Sequence, residues 1–396
     1  MQMWLVNANV VDVVNGKILE RRSIEITNGV IKQVNTETPK LNEEVFDVGG
    51  KFILPGIISC HTHLSVVFPF SQTDENENPA VTAFRAAKRA RQALYSGITT
   101  IRCVHEQNKV DLFLKAAIKN GWSESPRIFG AGRAISTPNG HGAGSACSYA
   151  EGFDGFYNAA VAELRAGADH IKIFINGGLA RAGEAPDNAE MTDEEIAGTV
   201  KAASENNTYV VAHSGENKAI MQALRQGVRS FEHIYKIDET TASALASAKA
   251  FVTPTLCVTR SESWMRANSF EEASIQNALK VSEQHLDSVK LAIKAKNQMV
   301  NGTDYPPGDS VDGIPAALYE LFLMFGAGLT PLEALQSISI TAARLLRQEK
   351  FLGQVAPNFA GDLISVESNP LMDMDTLRNI GMIMQSGRLI KDSAAS

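Results

Sequence analysis

At 396 residues, with 44% hydrophobic and 20% charged side chains, the chain has material for one large core and a smaller appendage. A formal net charge of -7 gives no electrostatic reason to bind nucleic acid or an anionic membrane, and no apolar run reaches the length of a bilayer-spanning helix. Cys60, Cys103, Cys147 and Cys257 are widely spaced with no CxxC, which argues against a disulfide framework and a thiolate zinc site and reads as four buried thiols.

The N-terminal residues Met1 to Asn7 lack the basic flank, apolar region and small-residue cleavage site of a signal peptide, so the expected location is cytoplasmic. Residues 3–48 form short alternating runs broken by Asn15-Gly16 and Asn28-Gly29. Asn-Gly between such runs signals hairpins, because both central residues of the favoured turn need positive φ. An antiparallel β module is therefore expected to open the chain.

From Gly56 the pattern changes to strands alternating with helices. The apolar run 53–64 ends in His61-Thr62-His63; alternation along a strand puts both imidazoles on one side. They suit a metal, and equally two hydrogen-bonded core histidines, unless later strands bring more ligands. Asn78-Pro79 opens a helix, with Phe84, Ala87 and Leu94 at helical spacing and Gly97 ending it. The basic segment Arg85, Lys88, Arg89 and Arg91 within it reads as a solvated face. Strands follow at 98–104, 127–135, 170–175, 208–213, 230–233, 250–256 and 298–304. Helical patterns lie between them at 110–119, 155–166, from the capping box 192–195, at 218–225, 239–248 and 270–296, then at 315–325 and 331–346.

Eight strands with helical connections imply a parallel sheet with right-handed crossovers, closed as a (β/α)8 TIM-type barrel; the alternative, an open doubly wound sheet, has no GxGxxG after any strand to support it. After residue 346 the pattern returns to β, at 362–366 and 380–390. The expected fold is thus α/β, with a barrel over 56–350 and a small β-sandwich built from 1–55 and 351–396.

Chemistry in such a barrel sits at the C-terminal strand ends. Strand one ends at His61 and His63, strand five at His213, strand six at His233 and strand eight at Asp304, so four of the eight histidines fall there. Strand four carries Lys172 inside Ile171-Lys172-Ile173-Phe174-Ile175. Alone, such a lysine snorkels or pairs with an acid. Beside four histidines a second reading opens, because burial lowers its pKa toward the neutral amine, which adds carbon dioxide to give a bridging carbamate.

This order of HxH, Lys, His, His and Asp within a barrel flanked by a β module from both termini resembles the amidohydrolase superfamily. Pro55-Gly56, Gly302-Thr303-Asp304 and Gly361-Asp362-Leu363 are also similar to it. The spacing of Asn139-Gly140-His141-Gly142, Ile171-Lys172-Ile173 and Phe231-Glu232-His233 resembles the Xaa-Pro dipeptidase (prolidase) and imidazolonepropionase-related branch, and the retained lysine favours the binuclear, dipeptidase-like side. The resemblance implies that His61, His63 and Asp304 bind one divalent metal and His213 and His233 a second, bridged by N6-carboxylated Lys172. Nitrogen and oxygen donors suit zinc, with manganese or iron able to substitute. Two such ions lower the pKa of a shared water from ~15.7 to about 7, and Asp304 would shuttle its proton to the leaving amine.

His141, in a Gly-rich loop after strand three, and Tyr235, two residues past His233, are the expected substrate-contacting residues. Arg181 and Arg260 could pair with a terminal carboxylate, with a surface salt bridge as the default, and His105, His170 and His285 are expected to be structural or exposed. No organic cofactor is expected. The partner is a small amide or dipeptide, homo-oligomerisation being left open. The reaction implied is metal-dependent hydrolysis of an amide bond in a Xaa-Pro dipeptide or N-acyl amino acid, against a cyclic or xenobiotic amide, or a non-catalytic scaffold. Substrate choice is expected to lie in loops 177–188, 261–269 and 305–312.

Overall fold

The computed structural model describes residues 2–37, 39–40, 43–69, 72–179 and 185–392. Both ends of the chain meet in one sheet of eight strands. Its order runs Arg388–Asp392, Met382–Gln385, Leu363–Val366, Phe52–Pro55, Gln2–Asp12, Lys17–Thr27, Val30–Asn35, with Val45–Asp47 pairing alongside Gln2–Asp12. Phe52–Pro55 joins the two ends, being parallel to Gln2–Asp12 on one side and antiparallel to Leu363–Val366 on the other. Leu5, Ile24, Ile31, Ile53, Leu363 and Met384 form its core. Asn28 and Gly29 both have positive φ (50° and 81°), as the two-residue hairpin turn requires. At Asn15-Gly16 only Gly16 does, because Asp12 Oδ1 accepts from the Val14 and Asn15 amides and builds a longer turn.

Gly56 marks the handover to parallel strands. A side chain there would meet Thr99 Oγ1 at 2.2 Å, so only glycine allows the two strands to close up. Ile57–Thr62, Ile98–Cys103 and Arg127–Gly130 form a three-stranded parallel sheet. Ser148–Tyr149, Ile135–Ser136, Ile171–Phe174, Val210–Glu216, Ser230–Lys236, Phe251–Thr253 and Gln298–Met299 form a seven-stranded one. Backbone bonds cross both seams. Cys60 N donates to Asn301 O (2.8 Å) and Thr303 N to His61 O (2.9 Å) at one, while Asp169 N donates to Gly130 O (2.7 Å) at the other. Between the strands and the helices outside them lies the main apolar cluster, from Ile101 and Phe156 to Leu321. No helix among the described residues is long and apolar enough to cross a membrane.

Several elements are shorter than their hydrophobic pattern. Strand three breaks after Gly130 and resumes at Ile135–Ser136. Gly132, at φ 66°, turns the chain where its amide donates to Asp111 Oδ2 and its carbonyl accepts from Glu106 N. Strand eight is regular only over Gln298–Met299: Asn301 N turns away to Ser337 O, and beyond it Thr303 and Asp304 both donate to His61 O, with Asp304 at φ 65°. The 270–296 pattern divides into helices Glu272–Lys280 and Ser282–Lys294, and 331–346 into Pro331–Ser337 and Ile340–Leu345.

One reading of helix Pro79–Tyr95, its solvated basic face, is corrected. Phe84 points outward, 79% exposed, and the buried face is Thr82, Ala86, Ala90, Ala93 and Leu94, whose small side chains let the helix lie close to the strands. The basic face is only half solvated. Arg85 Nε donates to Ser65 O (3.0 Å), and Arg89 Nη1 donates to Leu64 O (2.8 Å) and Val66 O (2.7 Å), while Lys88 and Arg91 face solvent. Glu106 accepts from the Leu64 and Ser65 amides at 2.6 Å. The turn after His63 is thus gripped through its carbonyls and its amides.

Candidate metal centre

His61, His63, Lys172, His213, His233 and Asp304 line one cavity at the C-terminal ends of the parallel strands, together with His141 and Tyr235. All six of the first set are brought together as their strand positions predict. Cys60, immediately before His61 on strand one, packs on the opposite side with Ile58, Val300 and Ala342. Nε2 of His61 and Nε2 of His63 each lie 2.9 Å from Asp304 Oδ1. Donor atoms of His61, His233 and Asp304 all fall within 4.8 Å of one another. The His213 ring centroid is 4.5 Å from that of His233.

The donor set fits divalent ions, because each imidazole is held by its other nitrogen. His61 Nδ1 donates to Glu232 Oε2 (2.7 Å) and His63 Nδ1 to His105 O (3.0 Å), so both present Nε2 to the cavity. His233 Nδ1 lies 2.7 Å from Thr255 Oγ1, which again leaves Nε2 for a ligand. His213 is turned over, with Nε2 against Gly177 O (3.3 Å), so its Nδ1 carries the lone pair. Burial holds His213 and His233 well below the usual imidazole range, in the neutral form that coordination needs. His63 is raised despite its burial, by its hydrogen bond to Asp304 and that carboxylate's charge. Asp304 is held well below the carboxylate range: burial opposes ionisation, and the charge and hydrogen bond of His61 outweigh it.

Lys172 is 2% exposed, and burial draws its amine down to about 8 against the opposing pull of Glu232 and Asp304. Near pH 7 about a tenth of the amine is then neutral, far more than for an exposed lysine, and carbamate formation draws on that fraction. His233 (φ 73°), Ile234 (φ 53°) and Asp304 (φ 65°) adopt left-handed backbone at the strand ends, a strain of about 1–3 kcal/mol each that clusters where function needs unusual side-chain directions.

The residues that sequence reasoning missed lie beneath these donors. Glu232 is fully buried; it accepts from Arg102 Nη2 at 2.9 and 3.0 Å, from Ser230 Oγ at 2.9 Å, and from His61. Burial opposes its ionisation, but the Arg102 guanidinium and His61 hold the carboxyl down to about 2. Arg102, also fully buried, donates through Nε to Cys60 O. The available signal was the one that singled out Lys172: a charge within a buried strand, here of opposite sign on Ile98–Cys103 and Ser230–Lys236. Glu232→Gln is expected to leave Arg102 unpaired and His61 poorly oriented. Thermal melts should show a loss of about 3–5 kcal/mol, and metal titration a 10–100-fold weaker first equivalent; unchanged values in both would remove this role.

Glu320, on helix Ala316–Gly326, accepts from the Leu256 and Cys257 amides at 2.8 Å, and Cys257 Sγ donates to Thr303 O beside Asp304. Burial pushes the Glu320 carboxyl up to about 7, against the pull of those amides. The folded state then keeps a proton that the unfolded chain releases near pH 4.5, so this stability is present below that pH and is lost as pH rises through about 7. Glu320→Gln is expected to lose a hydrogen bond at every pH, while wild-type stability declines relative to the variant by about 3 kcal/mol between pH 4.5 and 8. Denaturant titrations across that range check it.

Arg260 does not reach the cavity; it donates to Ser282 O and Glu283 Oε1, both at 3.0 Å. Arg181 lies outside the described residues. His105, His170 and His285 are all buried. His285 supports the centre from outside, donating to His233 O (2.8 Å) and Pro254 O (3.0 Å).

With this geometry in view, residues 52–390 match the amidohydrolase family. The chain belongs to that family. Among characterised proteins this amidohydrolase is similar to ochratoxinase of Aspergillus niger, 26% identical over 377 residues that cover 86% of this chain and 75% of that protein. Among solved structures it is similar to a prolidase complexed with N-methylphosphonate-L-proline (27% identity, TM-score 0.90, 99% and 100% of the two chains). It is likewise similar to a Xaa-Pro dipeptidase with methionine bound in the active site (26% identity, TM-score 0.88, 99% and 100%).

Proposed function

We propose that this amidohydrolase is a binuclear metal-dependent hydrolase of amide bonds, acting on a Xaa-Pro dipeptide or an N-acyl amino acid. The observation that carries the reading is the convergence of four imidazoles, Asp304 and the buried Lys172 on one cavity, each imidazole fixed by its remote nitrogen. His61, His63 and Asp304 would hold one ion, His213 and His233 the other, and carboxylated Lys172 both; zinc suits these donors. The likeness to a prolidase and a Xaa-Pro dipeptidase supports this reading.

When bound, the two ions supply Lewis-acid polarisation of the carbonyl and an acidified water. The protein's own groups do the rest. The Asp304 carboxylate, 24% accessible through the cavity, accepts a proton from the attacking water and delivers it to the departing amine nitrogen. Tyr235, stacked on His233 at 5.2 Å and 6°, and His141, stacked on His213 at 4.4 Å, flank the cavity as candidates to hold the carbonyl oxygen or a substrate carboxylate.

The two parallel sheets, with backbone bonds across both seams, act as one closed (β/α)8 barrel over residues 56–350. The described residues within 1–55 and 351–396 form the accompanying β domain. The lack of an apolar spanning helix among the described residues is compatible with a cytoplasmic location. A panel of dipeptides and N-acyl amino acids, scored by amine release with zinc-loaded enzyme, tests the function. Turnover of at least one class is expected, and no amine from any member would contradict it.

A further inference from the structure

The cavity has a second half that the proposed chemistry does not use. Beyond Asp304 it is lined by Phe68, Val258, Trp264, Met265, Phe270 and Ala278. These belong to a hydrophobic cluster of their own, separate from the main core and organised around helices Glu262–Ala267 and Glu272–Lys280. Trp264 forms the rigid wall: its ring stacks on Tyr305 at 3.7 Å and 15°, its Nε1 donates to Asp309 Oδ2 (3.0 Å), and Tyr305 OH donates to Cys257 O (3.0 Å). Phe68 and Phe270 lie 5.9 Å apart and nearly parallel at 20°, with Phe68 set edge-on to Trp264 at 5.2 Å and 76°. Both phenylalanines are only half-buried although they face a cavity.

Charge decides what such a surface accepts. Among the described residues lining the cavity, the basic side chains, Lys172 and the histidines, all belong to the metal half, and Arg260 is turned away to Glu283. A carboxylate placed among these rings would lose its hydration with no counter-charge. The amino-acid half of an N-acyl amino acid or dipeptide is therefore excluded from this arm, and the acyl half remains.

We propose that the arm formed by Phe68, Trp264, Met265 and Phe270 is the acyl subsite, and that it selects an uncharged aromatic or bulky apolar group on the carbonyl side of the scissile amide. This rests on the amide-hydrolase reading. Burying a phenyl ring against aromatic walls favours it over a methyl group by about tenfold or more.

The test compares one amino acid N-acylated with acetyl, butanoyl and hydrocinnamoyl groups, scored by amine release with zinc-loaded wild type and Phe270→Ala. The wild-type kcat/KM should rise about tenfold or more from acetyl to hydrocinnamoyl, and Phe270→Ala should lower that ratio about tenfold. A ratio taken on one preparation does not depend on its folded fraction. Amine release from all three with a ratio near one, or a ratio that Phe270→Ala leaves unchanged, overturns the subsite and leaves the hydrolase reading standing. A parallel arm measures binding of N-methylhydrocinnamamide by saturation-transfer NMR. Binding that weakens about tenfold in Phe270→Ala, with no amine released from any acyl compound, supports the subsite and overturns the hydrolase reading. Neither release nor binding overturns both.

Discussion

Asp304→Asn is expected to lower kcat by about 10²–10⁴-fold while the protein remains folded. Asp304 sits at the end of strand eight with Oδ1 2.9 Å from both His61 Nε2 and His63 Nε2, so its carboxylate is positioned against the reacting groups, away from the apolar core. The amide is isosteric and retains a carbonyl oxygen toward the two imidazoles, but it cannot accept a proton from water or return one to the leaving nitrogen. The loss should therefore appear in kcat more than in KM, because the missing interaction is made as the proton moves. Steady-state kinetics on any substrate that the panel identifies, alongside a thermal melt, check this. Unchanged kcat in the folded variant would remove Asp304 as the proton shuttle.

Lys172→Ala is expected to abolish measurable turnover. The side chain is 2% exposed and its amine is drawn down to about 8 by burial, which is costly for a lysine with only a structural role. If it bridges two ions as a carbamate, truncation leaves space for a small carboxylate, and formate or acetate should restore part of the activity. Lys172→Met separates the alternatives, because it fills the same volume without an amine. A lysine retained for packing alone would tolerate methionine, whereas a bridging lysine would not, and added carboxylate could not enter. Full activity of Lys172→Met would contradict the assignment.

The six proposed ligands were legible in the sequence because parallel strands bury both faces and read as apolar runs, so a histidine, lysine or aspartate at or within one stands out. What holds the ligands was less legible. Arg102 and Glu232 carry the same signal as Lys172, but their meaning lies in a contact between strands two and six. Arg85 and Arg89 were read as solvated because periodicity assigns a helix face without showing which loop carbonyls lie over it. Helical spacing likewise does not say which face packs: Phe84 is exposed, and the alanine face fits the space beside the strands. The break in strand three follows from positive φ at Gly132, and strand eight ends where Asn301 N turns to Ser337 O, backbone requirements that a hydrophobic pattern does not carry. Trp264 and Phe270 lie in a stretch expected as a specificity loop and one long helix; only the packing of Trp264 on Tyr305 and of Phe270 on Trp264 turns them into a cavity wall.

The central claim, two ions held by six side chains, is tested most directly by counting metal in wild-type protein purified without chelator and reconstituted with zinc and bicarbonate. The proposal predicts two equivalents per chain. Fewer than one equivalent, unchanged by reconstitution, would contradict it and favour a non-catalytic scaffold.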